Sequence, residues 1–286
     1  MNDPQILTSA AELAAWRMAR NGPIHFVPTM GNLHAGHLAL VDAAAAEGVG
    51  VIVSIFVNPT QFGPGEDFDR YPRTVEEDLA RLRGHCDAVW RPAIEDLYPL
   101  GPDRGFGVRV PEALGGVLCG ARRPGHFDGV ANVVLRLFQH VRPDRAVFGE
   151  KDYQQLTILR RLVEDFALGI RIDAEPTVRE PDGLAMSSRN RYLSEDERRI
   201  APALYRTLSE LAAQADEADH RPSSGTLQAL ARSGMERLAA HGFEPEYVEF
   251  RDAGTLGPPA RGALRLLAAA RLGAARLIDN VVVSRH

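Results

Sequence analysis

Residues 24–57 read IHFVPTMGNLHAGHLALVDAAAAEGVGVIVSIFV, and this stretch decides the fold. Two apolar runs, Ile24–Val27 and Val49–Val57, enclose an alanine-rich segment that favours a helix ending at Gly48. The second run is rich in β-branched residues and hardly alternates, which is typical of strands buried on both faces of a parallel sheet. The stretch therefore predicts a strand, a helix and a second, parallel strand.

Helical and strand patterns alternate outside this stretch as well. Ser9 and Glu12 form a capping-box pattern for a helix that ends near Arg20. A helical segment at Asp78–Arg83 precedes a third apolar run at Ala88–Trp90. Six apolar residues then recur at the spacing of a helix with one buried face: Val130, Val133, Val134, Leu137, Phe138 and Val141.

Two further strands are predicted at Arg145–Phe148 and Ile170–Val178, with a helix at Gln154–Leu168 between them. The residues of this helix that are expected to face inward are Leu159, Leu162, Val163 and Phe166. Because strands and helices alternate, the sequence predicts an α/β fold with a doubly wound parallel sheet.

Beyond Arg179 the sequence predicts a smaller α+β domain. A polar loop at Arg179–Arg191 leads to a helix capped by Ser194 and Glu197. The elements that follow are a polar linker at Asp216–Gly225, a helix to His241 and short strands at Tyr247–Phe250, Leu264–Ala268 and Leu277–Val283. The predicted domains are residues 1–179 and residues 180–286.

The composition indicates a folded globular protein. The 286 residues carry a formal net charge of -5 and are 45% hydrophobic and 25% charged, and this charge gives no excess of cations to hold a nucleic-acid backbone. No apolar run approaches the roughly 20 residues of a membrane span, and the N-terminus lacks a signal-peptide pattern. Because Cys86 and Cys119 are too few for a disulfide framework, we expect a cytoplasmic protein.

Lys151 is the only lysine, beside 32 arginines. A genome that favours arginine over lysine explains the 32 arginines. Lys151 has then been kept either by chance or because its function requires a lysine. A compact ammonium on a flexible stem suits a position that needs a point charge against a phosphate, whereas a planar guanidinium suits it less. Lys151 is therefore a candidate phosphate ligand.

Segments that follow the predicted strands are candidate sites, because ligands of open α/β sheets bind beyond the carboxyl ends of the strands. The first, Pro28–His37, is a glycine-rich turn that opens a helix carrying His34 and His37. Such a turn presents backbone N–H groups to an anion, and imidazoles at that end can bond the same phosphates. Zinc binding is the competing interpretation, but the further Cys or His ligands it needs are missing nearby.

Three other segments carry suitable chemistry. Phe148–Gln155 contains the lone lysine, and Met186–Asn190 offers two hydroxyls and a cation to phosphate oxygens. Asn58–Phe62 offers neutral amides beside an aromatic ring, which suits a polar organic substrate. Neither a P-loop nor a G-x-G-x-x-G fingerprint occurs, so phosphate must be bound in another way.

The motifs of these segments resemble those of one enzyme family. HAGH at residues 34–37 resembles the HIGH signature of the nucleotidyltransferase superfamily, and MSSR at residues 186–189 resembles its second signature loop. More narrowly, the chain resembles the pantothenate synthetase family, the pantoate–β-alanine ligases, over its whole length. The motifs that carry this resemblance are PTMGNLHAGH, NPTQF, YPRT, RPGHFDGV, FGEKDYQQL, DGLAMSSRNRYL and ARLGAARLIDN.

The resemblance implies synthesis of pantothenate from (R)-pantoate and β-alanine, with ATP converted to AMP and pyrophosphate in the presence of Mg²⁺. It also implies a cytoplasmic homodimer with small-molecule substrates and no nucleic-acid or membrane partner. The N-terminal domain would be Rossmann-like and bind nucleotide and substrate, and the C-terminal domain would cover the site as a lid.

Site residues are implied by the same resemblance. The ATP-binding residues would be Pro28, Thr29, Met30, Gly31, Asn32, Leu33, His34, Ala35, Gly36, His37, Gly149, Glu150, Lys151, Asp152, Val178, Met186, Ser187, Ser188 and Arg189. Gln61 and Gln155 would bind pantoate, with Gln61 also near β-alanine. The residues expected to act in catalysis are His34, His37, Lys151, Ser187, Ser188 and Arg189, with His37 as the proton donor. No protein side chain is assigned as a metal ligand.

The implied reaction begins with attack of the pantoate carboxylate on the α-phosphorus of ATP, and the β-alanine amine then displaces AMP. Three other functions remain open. One is a nucleotidylyltransferase, whose adenylated product persists, and another is a nucleotide-sensing protein without catalysis. The third is an aminoacyl-tRNA synthetase, against which the net charge and the missing RNA-binding module argue.

Overall fold

The computed structural model describes residues 3–45, 49–217, 222–260 and 262–283. The chain divides into two compact units. Unit 1 is formed from Met1–Val110, Arg123–Glu150 and Ile158–Pro176. Unit 2 is formed from Pro111–Arg122, Lys151–Thr157 and Thr177–His286.

Unit 1 contains a six-stranded parallel sheet. Its strands are β1 (Gln5–Leu7), β2 (Ile24–Thr29), β3 (Gly50–Ile55), β4 (Ala88–Trp90), β5 (Arg145–Gly149) and β6 (Arg171–Glu175), in the spatial order β1-β4-β3-β2-β5-β6. The chain winds outward from β2 through β3 to β4, and then in the opposite direction from β5 to β6. Winding therefore reverses between β2 and β5, the place where open α/β sheets bind ligands.

Eleven α-helices lie within the described residues. They are α1 (Ala10–Met18), α2 (Ala35–Ala45), α3 (Val75–Leu82), α4 (Ile94–Leu97), α5 (Glu112–Gly115), α6 (Leu118–Arg122), α7 (His126–Val141), α8 (Tyr153–Asp165), α9 (Glu195–Ile200), α10 (Ala203–Glu217) and α11 (Ser224–Ala240). None of these described helices is long and apolar enough to cross a membrane.

Both faces of the parallel sheet are covered, which explains why its strands hardly alternate. On one face Val27 and Val53 pack in a buried cluster with Val41 of α2 and Leu82 of α3. Phe26, the neighbour of Val27, points to the other face, where its ring meets Phe138 of α7 edge-on at 6.3 Å. All six residues predicted as the buried face of α7 are buried, so the doubly wound α/β fold is confirmed.

Several sequence predictions for unit 1 need correction. Phe166 does not face inward but is 49% exposed, because α8 ends at Asp165 and the chain turns at Ala167 with a φ of 49°. The last strand ends at Glu175 rather than at Val178. Strand β1 and helices α4, α5 and α6 were not predicted, since runs of three to five residues are too short to show a period.

Two predictions concern helix ends. Ser9 caps α1 by accepting from the backbone N–H of Glu12 at 3.2 Å, as expected. The Glu12 carboxylate, however, accepts from the backbone N–H of Thr8 at 2.6 Å. The predicted end of α2 at Gly48 lies outside the described residues.

Unit 2 contains a three-stranded antiparallel sheet in the order β7-β8-β9. Its strands are β7 (Glu244–Asp252), β8 (Leu264–Leu272) and β9 (Ala275–Val283), each longer than predicted. The helix capped by Ser194 and Glu197 has the expected capping box but is short, because Pro202 separates α9 from α10. The predicted linker at Asp216–Gly225 belongs to α10 and α11 at its two ends, and residues 218–221 lie outside the described residues.

Candidate functional site

The glycine-rich turn leaves the carboxyl end of β2 where winding reverses. Gly31 and Asn32 both have positive φ angles, 78° and 50°, which turn the chain sharply before α2 begins at Ala35. Thr29 fixes the start of the turn, because its hydroxyl donates to the carbonyl of Ser54 at 2.8 Å and accepts from the N–H of Gly31 at 3.2 Å. The turn is thus tied to the neighbouring strand β3.

A carboxylate of the chain itself occupies two N–H groups of this turn. Asp78, only 1% exposed, accepts from the N–H of Asn32 at 2.8 Å and from the N–H of Leu33 at 2.7 Å. Consecutive N–H groups in a turn form a concavity that binds an anion. The sequence predicted such a concavity for phosphate, but these two N–H groups are already taken by Asp78.

The two histidines that follow the turn lie side by side, with ring centroids 4.1 Å apart. The Nδ1 atom of His37 accepts from the backbone N–H of His34 at 3.3 Å, and the Nδ1 atom of His34 accepts from that of Gly36 at 3.2 Å. A neutral ring whose Nδ1 accepts carries its proton on Nε2. Both rings can therefore donate a hydrogen bond through Nε2.

Gln61 lies in the same unit and contacts the turn. Its Nε2 donates to the sulfur of Met30 at 3.0 Å, and its Oε1 accepts from the side-chain amide of Asn58 at 3.1 Å. A thioether is a weak acceptor, so a substrate oxygen can replace it at little cost. The structure thus brings together Gln61 and Met30, which the sequence assigned to pantoate and ATP.

Asn58 is 1% exposed and is held by further bonds. Its Oδ1 accepts from the hydroxyls of Thr60 at 3.0 Å and Tyr98 at 2.9 Å, and its Nδ2 also donates to the carbonyl of Gly129 at 3.2 Å. Burial raises the pKa of Tyr98, which keeps its hydroxyl a donor. Because every polar atom of the Asn58 amide is used, the orientation of Gln61 is fixed.

The backbone of Gln61 is held from α7. His126 Nδ1 donates to the carbonyl of Gln61 at 2.7 Å while its Nε2 accepts from Arg123 at 2.8 Å. Arg123 also forms two bonds with the carboxylate of Glu66, at 2.6 and 2.5 Å. Burial by itself would raise the pKa of Glu66, but the hydrogen bonds and charge of Arg123 outweigh burial and lower it.

A pocket of about 250 Å³ opens at the carboxyl edge of the parallel sheet. The residues that line it include Met30 and Gly31 of the turn, Phe56 after β3, Asp78 and Arg91 after β4. At the same edge Gly149 ends β5, on the other side of the winding reversal, and Glu150 follows it. Unit 1 therefore places Pro28–His37, Gln61, Gly149 and Glu150 at one edge of its sheet.

Unit 2 holds the remaining predicted site residues. Lys151 and Asp152 lie in a short 3₁₀ turn before α8, and the Lys151 carbonyl accepts from the side-chain amide of Asn280 on β9 at 2.9 Å. The side-chain Oδ1 of Asn280 in turn accepts from Arg265 Nε at 2.6 Å. Within the residues that the structure describes, the Lys151 ammonium has no hydrogen-bond or ionic partner.

Two adjacent glutamines on α8 differ in their surroundings. Gln154 is 5% exposed and its amide bonds the carbonyls of Leu114 and Val117 and the N–H of Cys119. Gln155 is half-buried, and no described residue bonds its side chain. Gln154 is therefore structural, whereas the amide of Gln155 is available to a ligand.

Val178 and Met186 are brought together in a small hairpin, in which Met186 N–H donates to the Val178 carbonyl at 3.0 Å. Arg179 lies in the hairpin and forms two bonds with Asp279 of β9, at 2.6 and 2.9 Å, and its guanidinium stacks 3.6 Å from the ring of Tyr205. The hairpin is thus anchored on β9, the same strand that holds the Lys151 carbonyl.

The hydroxyl-rich loop follows directly. Ser187 caps a 3₁₀ helix, Ser188–Tyr192, by accepting from the N–H of Arg189 at 3.2 Å. Its hydroxyl proton remains a donor in this arrangement. Asn190 donates to the carbonyl of Ala185 at 3.1 Å and closes the loop onto the hairpin. Unit 2 therefore groups Val178, Met186, Ser187, Ser188 and Arg189 in one hairpin and loop.

The sequence analysis missed Asp78, Asp279 and Asn280. A signal for Asp78 exists, because it occupies the position between Val75 and Leu82 where the apolar stripe of α3 continues through Leu79. An acid on an apolar face marks a buried carboxylate that needs partners. Asp279 and Asn280 are likewise a buried polar pair between the apolar residues Leu277–Ile278 and Val281–Val283 of their strand.

Among the described residues, no three His, Cys, Asp or Glu side chains are grouped so that they could hold a metal ion. His34 and His37 therefore form a pair without the further ligands that a closed zinc site requires. Cys86 and Cys119 are both free thiols.

Comparisons with known proteins agree over nearly the whole chain. A family model described as Pantoate-beta-alanine ligase matches residues 5–282. The pantothenate synthetase of Azotobacter vinelandii is 52% identical over 265 residues, which are 91% of each chain.

Solved structures are similar as well. The crystal structure of pantothenate synthetase from Thermus thermophilus matches with a TM-score of 0.88 and 45% identity, over 98% of this chain and 99% of that one. The pantoate-beta-alanine ligase from Francisella tularensis, crystallised with "Beta-gamma ATP and Beta-alanine", matches with a TM-score of 0.81 and 33% identity over 98% of both chains.

Proposed function

The chain belongs to the pantoate-beta-alanine ligase family, and from this premise we propose how its residues perform the reaction. The protein joins pantoate to β-alanine in an ATP-dependent reaction that yields pantothenate. The observation that carries this assignment is the match over residues 5–282, which includes every segment at the candidate site.

The chemistry has two steps. An oxygen of the pantoate carboxylate attacks the α-phosphorus of ATP, the bond to the β-phosphate breaks, and pyrophosphate leaves with the electron pair. The neutral amine of β-alanine then attacks the acyl carbon of pantoyl adenylate, AMP leaves, and the nitrogen loses a proton. In this two-step chemistry the acyl group is activated by AMP, so no covalent enzyme intermediate is needed.

In unit 1, ATP is proposed to bind along Pro28–His37 and at Gly149 and Glu150. His34 and His37 supply Nε2 donors to phosphate oxygens, on which negative charge builds as the α-phosphorus is attacked. The Nδ1 contacts of both rings support this role, because they leave the proton of a neutral ring on Nε2. His37 is also the proposed proton donor.

In unit 2, ATP is proposed to bind Lys151, Asp152, Val178 and Met186–Arg189. The Lys151 ammonium, which no described residue pairs, supports a contact with phosphate, since a charged group of this kind is available for an anionic ligand. Ser187, Ser188 and Arg189 are proposed to add hydroxyl and guanidinium donors to the departing pyrophosphate.

Pantoate is proposed to bind Gln61 and Gln155, with Gln61 also near β-alanine. The weak contact of Gln61 Nε2 with the Met30 sulfur and the open amide of Gln155 support this proposal. Pantoate carries a carboxylate and hydroxyls, which match the donors and acceptors of two amides.

Mg²⁺ is proposed to accompany ATP. It is usually held by substrate phosphates with one or two protein carboxylates, so this proposal does not require a dedicated cluster of protein ligands. When bound, it neutralises charge on the phosphates. A homodimer, a cytoplasmic location and a lid formed by residues 180–286 also stay predictions.

A mixture of the protein with Mg-ATP, pantoate and β-alanine tests the function, with each component omitted in turn. We expect AMP and pantothenate only from the complete mixture. An adenylated product that persists would instead indicate a nucleotidylyltransferase, and nucleotide binding without turnover would indicate a sensor. Absence of AMP from the complete mixture would contradict the assignment.

A further inference from the structure

Asp78 is an unusual group to find next to a nucleotide-binding turn. It is 1% exposed, and within the described part of the chain it forms no ion pair. A carboxylate buried without a cation is costly, and the cost must be offset by hydrogen bonds. Its donors are the N–H groups of Asn32 and Leu33 and, at 3.3 Å, the hydroxyl of Thr74.

The geometry of these bonds requires a carboxylate. Oδ2 accepts from Asn32 while Oδ1 accepts from Leu33, so two neighbouring N–H groups are satisfied by the two oxygens of one rigid group. An asparagine at position 78 offers one acceptor, and its NH₂ group would face the other N–H. One backbone donor would then be buried without a partner.

The turn is packed directly against this carboxylate. A Cβ atom on Gly31 would lie 2.9 Å from Oδ2 of Asp78 and 3.1 Å from Cγ2 of Ile55. The left-handed φ of 78° at Gly31 also disfavours any other residue. Glycine at position 31 and aspartate at position 78 are therefore fitted to each other.

The hydrogen bonds of Asp78 with the turn are linked through the backbone to the two histidines. Leu33, which donates to Asp78, is followed by His34, and the backbone N–H of His34 donates to Nδ1 of His37. A shift of the turn would move that N–H away from Nδ1 of His37. The hydrogen bond that favours the tautomer with a proton on Nε2 would then be weakened.

We propose that Asp78 is a positioning residue for adenylation, which fixes the turn so that His34 and His37 present Nε2 to the phosphates of ATP. In this proposal Asp78 acts through the backbone of the turn and not through a contact with the nucleotide. The inference rests on the proposed function, since it assigns Asp78 a part in that same site.

Asp78→Asn tests this, and Asp144→Asn is a matched control. Asp144 accepts from the N–H of Ile24 at 2.7 Å, so it holds the first residue of β2 while Asp78 holds the turn after the last. The assay is pantoate-dependent exchange of pyrophosphate into ATP. For Asp78→Asn we expect kcat to fall about 10–100-fold and KM for pantoate to change less than about threefold, because the histidines act chiefly in the transition state.

Thermal unfolding and long-range ¹H–¹⁵N spectra of the histidine rings complete the test. For Asp144→Asn we expect some loss of stability, kcat within about twofold of the wild type, and unchanged tautomers of His34 and His37. For Asp78→Asn we expect the single Nε2–H tautomer of both rings to be lost.

If Asp78→Asn does not fold, one milder variant and one pair of glycine variants decide. Thr74→Val removes one donor to Asp78 and is expected to lower kcat about two- to fivefold. Gly31→Ala pushes the turn from Asp78 and is expected to reduce kcat at least as much as Asp78→Asn. Gly169→Ala, at a φ of 69° with nothing within 4 Å of the added Cβ, tests backbone strain alone.

Wild-type kcat and tautomers in a folded Asp78→Asn, or in Thr74→Val when Asp78→Asn is unfolded, would overturn the inference. Equal losses of kcat in Asp78→Asn and Asp144→Asn would also overturn it, since a general loss of stability would then explain both. A wild-type protein that forms no AMP is a different failure, because it refutes the proposed function itself.

Discussion

The turn Pro28–His37 in unit 1 and the Lys151 segment in unit 2 are both proposed to bind ATP, yet they are anchored in opposite ways. The turn is held by a carboxylate that accepts from its backbone N–H groups. The lysine segment is held by the amide of Asn280, which donates to the Lys151 carbonyl. Asp78 thus accepts hydrogen bonds from backbone N–H groups, whereas Asn280 donates a hydrogen bond to a backbone carbonyl.

This difference decides what each region can offer a phosphate. With the N–H groups of Asn32 and Leu33 taken by Asp78, the phosphate donors proposed for this turn are the Nε2 atoms of its two histidines. The anchor at Lys151 uses only a carbonyl and leaves the ammonium unpaired among the described residues. In this proposal unit 1 supplies imidazole donors on an anchored turn, and unit 2 supplies a charge on a flexible side chain.

His37→Ala removes a proposed hydrogen-bond donor to phosphate. Among the four positions tested here, His37, Lys151, Gln155 and Asn280, it has the largest expected effect. We expect the rate of adenylation to fall by about 10²–10³, the usual loss for one preorganised donor to a developing charge. The measurement is pyrophosphate exchange, with circular dichroism to verify folding. His85→Ala is the control, because His85 is also a hydrogen-bonded histidine of unit 1, paired with Asp42 at 2.6 Å. Near-normal exchange by folded His37→Ala would refute the donor role.

Lys151→Arg asks whether unit 2 needs charge alone or a slim, mobile charge. We expect it to be nearly as damaging as Lys151→Ala, because a planar guanidinium fixes its donors in one plane and needs more room. In both variants kcat should fall more than KM for ATP rises, as for a contact made mainly in the transition state. Arg160→Lys, on the exposed side of α8, is the reverse exchange and should have no effect. If Lys151→Arg keeps most of the wild-type turnover, the lone lysine is an accident of composition.

Gln155→Ala and Gln154→Ala compare a ligand amide with a structural one. For Gln155→Ala we expect pantoate to bind about 5–150-fold more weakly, equivalent to about 1–3 kcal/mol, with little change for ATP. Gln154→Ala should instead lower the melting temperature, because three backbone groups lose their partner. Titrations of each ligand and thermal unfolding separate the two. Equal losses of pantoate and ATP affinity in Gln155→Ala would count against its placement.

The local pattern of hydrophobic residues was enough to predict the helix with one buried face and the strand buried on both faces. The spacing of Val130 to Val141 gave α7 and its buried face, and the unalternating run at residues 49–57 gave a buried parallel strand. The segments at strand ends were located by the same logic, since the carboxyl edge of the sheet follows from strand order. The roles of the residues in them came from resemblance and stay predictions.

The anchors could not be predicted, because each bond joins residues far apart in sequence. Asp78 is 46 residues from Asn32, and Asn280 is 129 from Lys151. A pattern of hydrophobicity shows that Asp78 lies on an apolar face but does not say which donors meet it there. The prediction that Phe166 is buried was wrong for a related reason. The helical period placed Phe166 on the buried face of α8, but the helix ends at Asp165 and Phe166 is exposed.

Asn280→Asp tests the anchor of unit 2 and has the smallest expected effect. The variant keeps an oxygen for Arg265 but places a second oxygen against the Lys151 carbonyl, where the amide donated. It is the reverse of Asp78→Asn, because a carboxylate suits backbone N–H groups and an amide suits a carbonyl.

We expect kcat for pyrophosphate exchange to fall about three- to tenfold, since the flexible stem of Lys151 can compensate for a displaced backbone whereas the rigid turn of unit 1 cannot. Asn280→Ala, which loses both bonds without introducing a repulsion, should fall between the wild type and Asn280→Asp. If Asn280→Asp keeps wild-type kcat while Asp78→Asn does not, the backbone of Lys151 needs no anchor and only unit 1 depends on a fixed geometry.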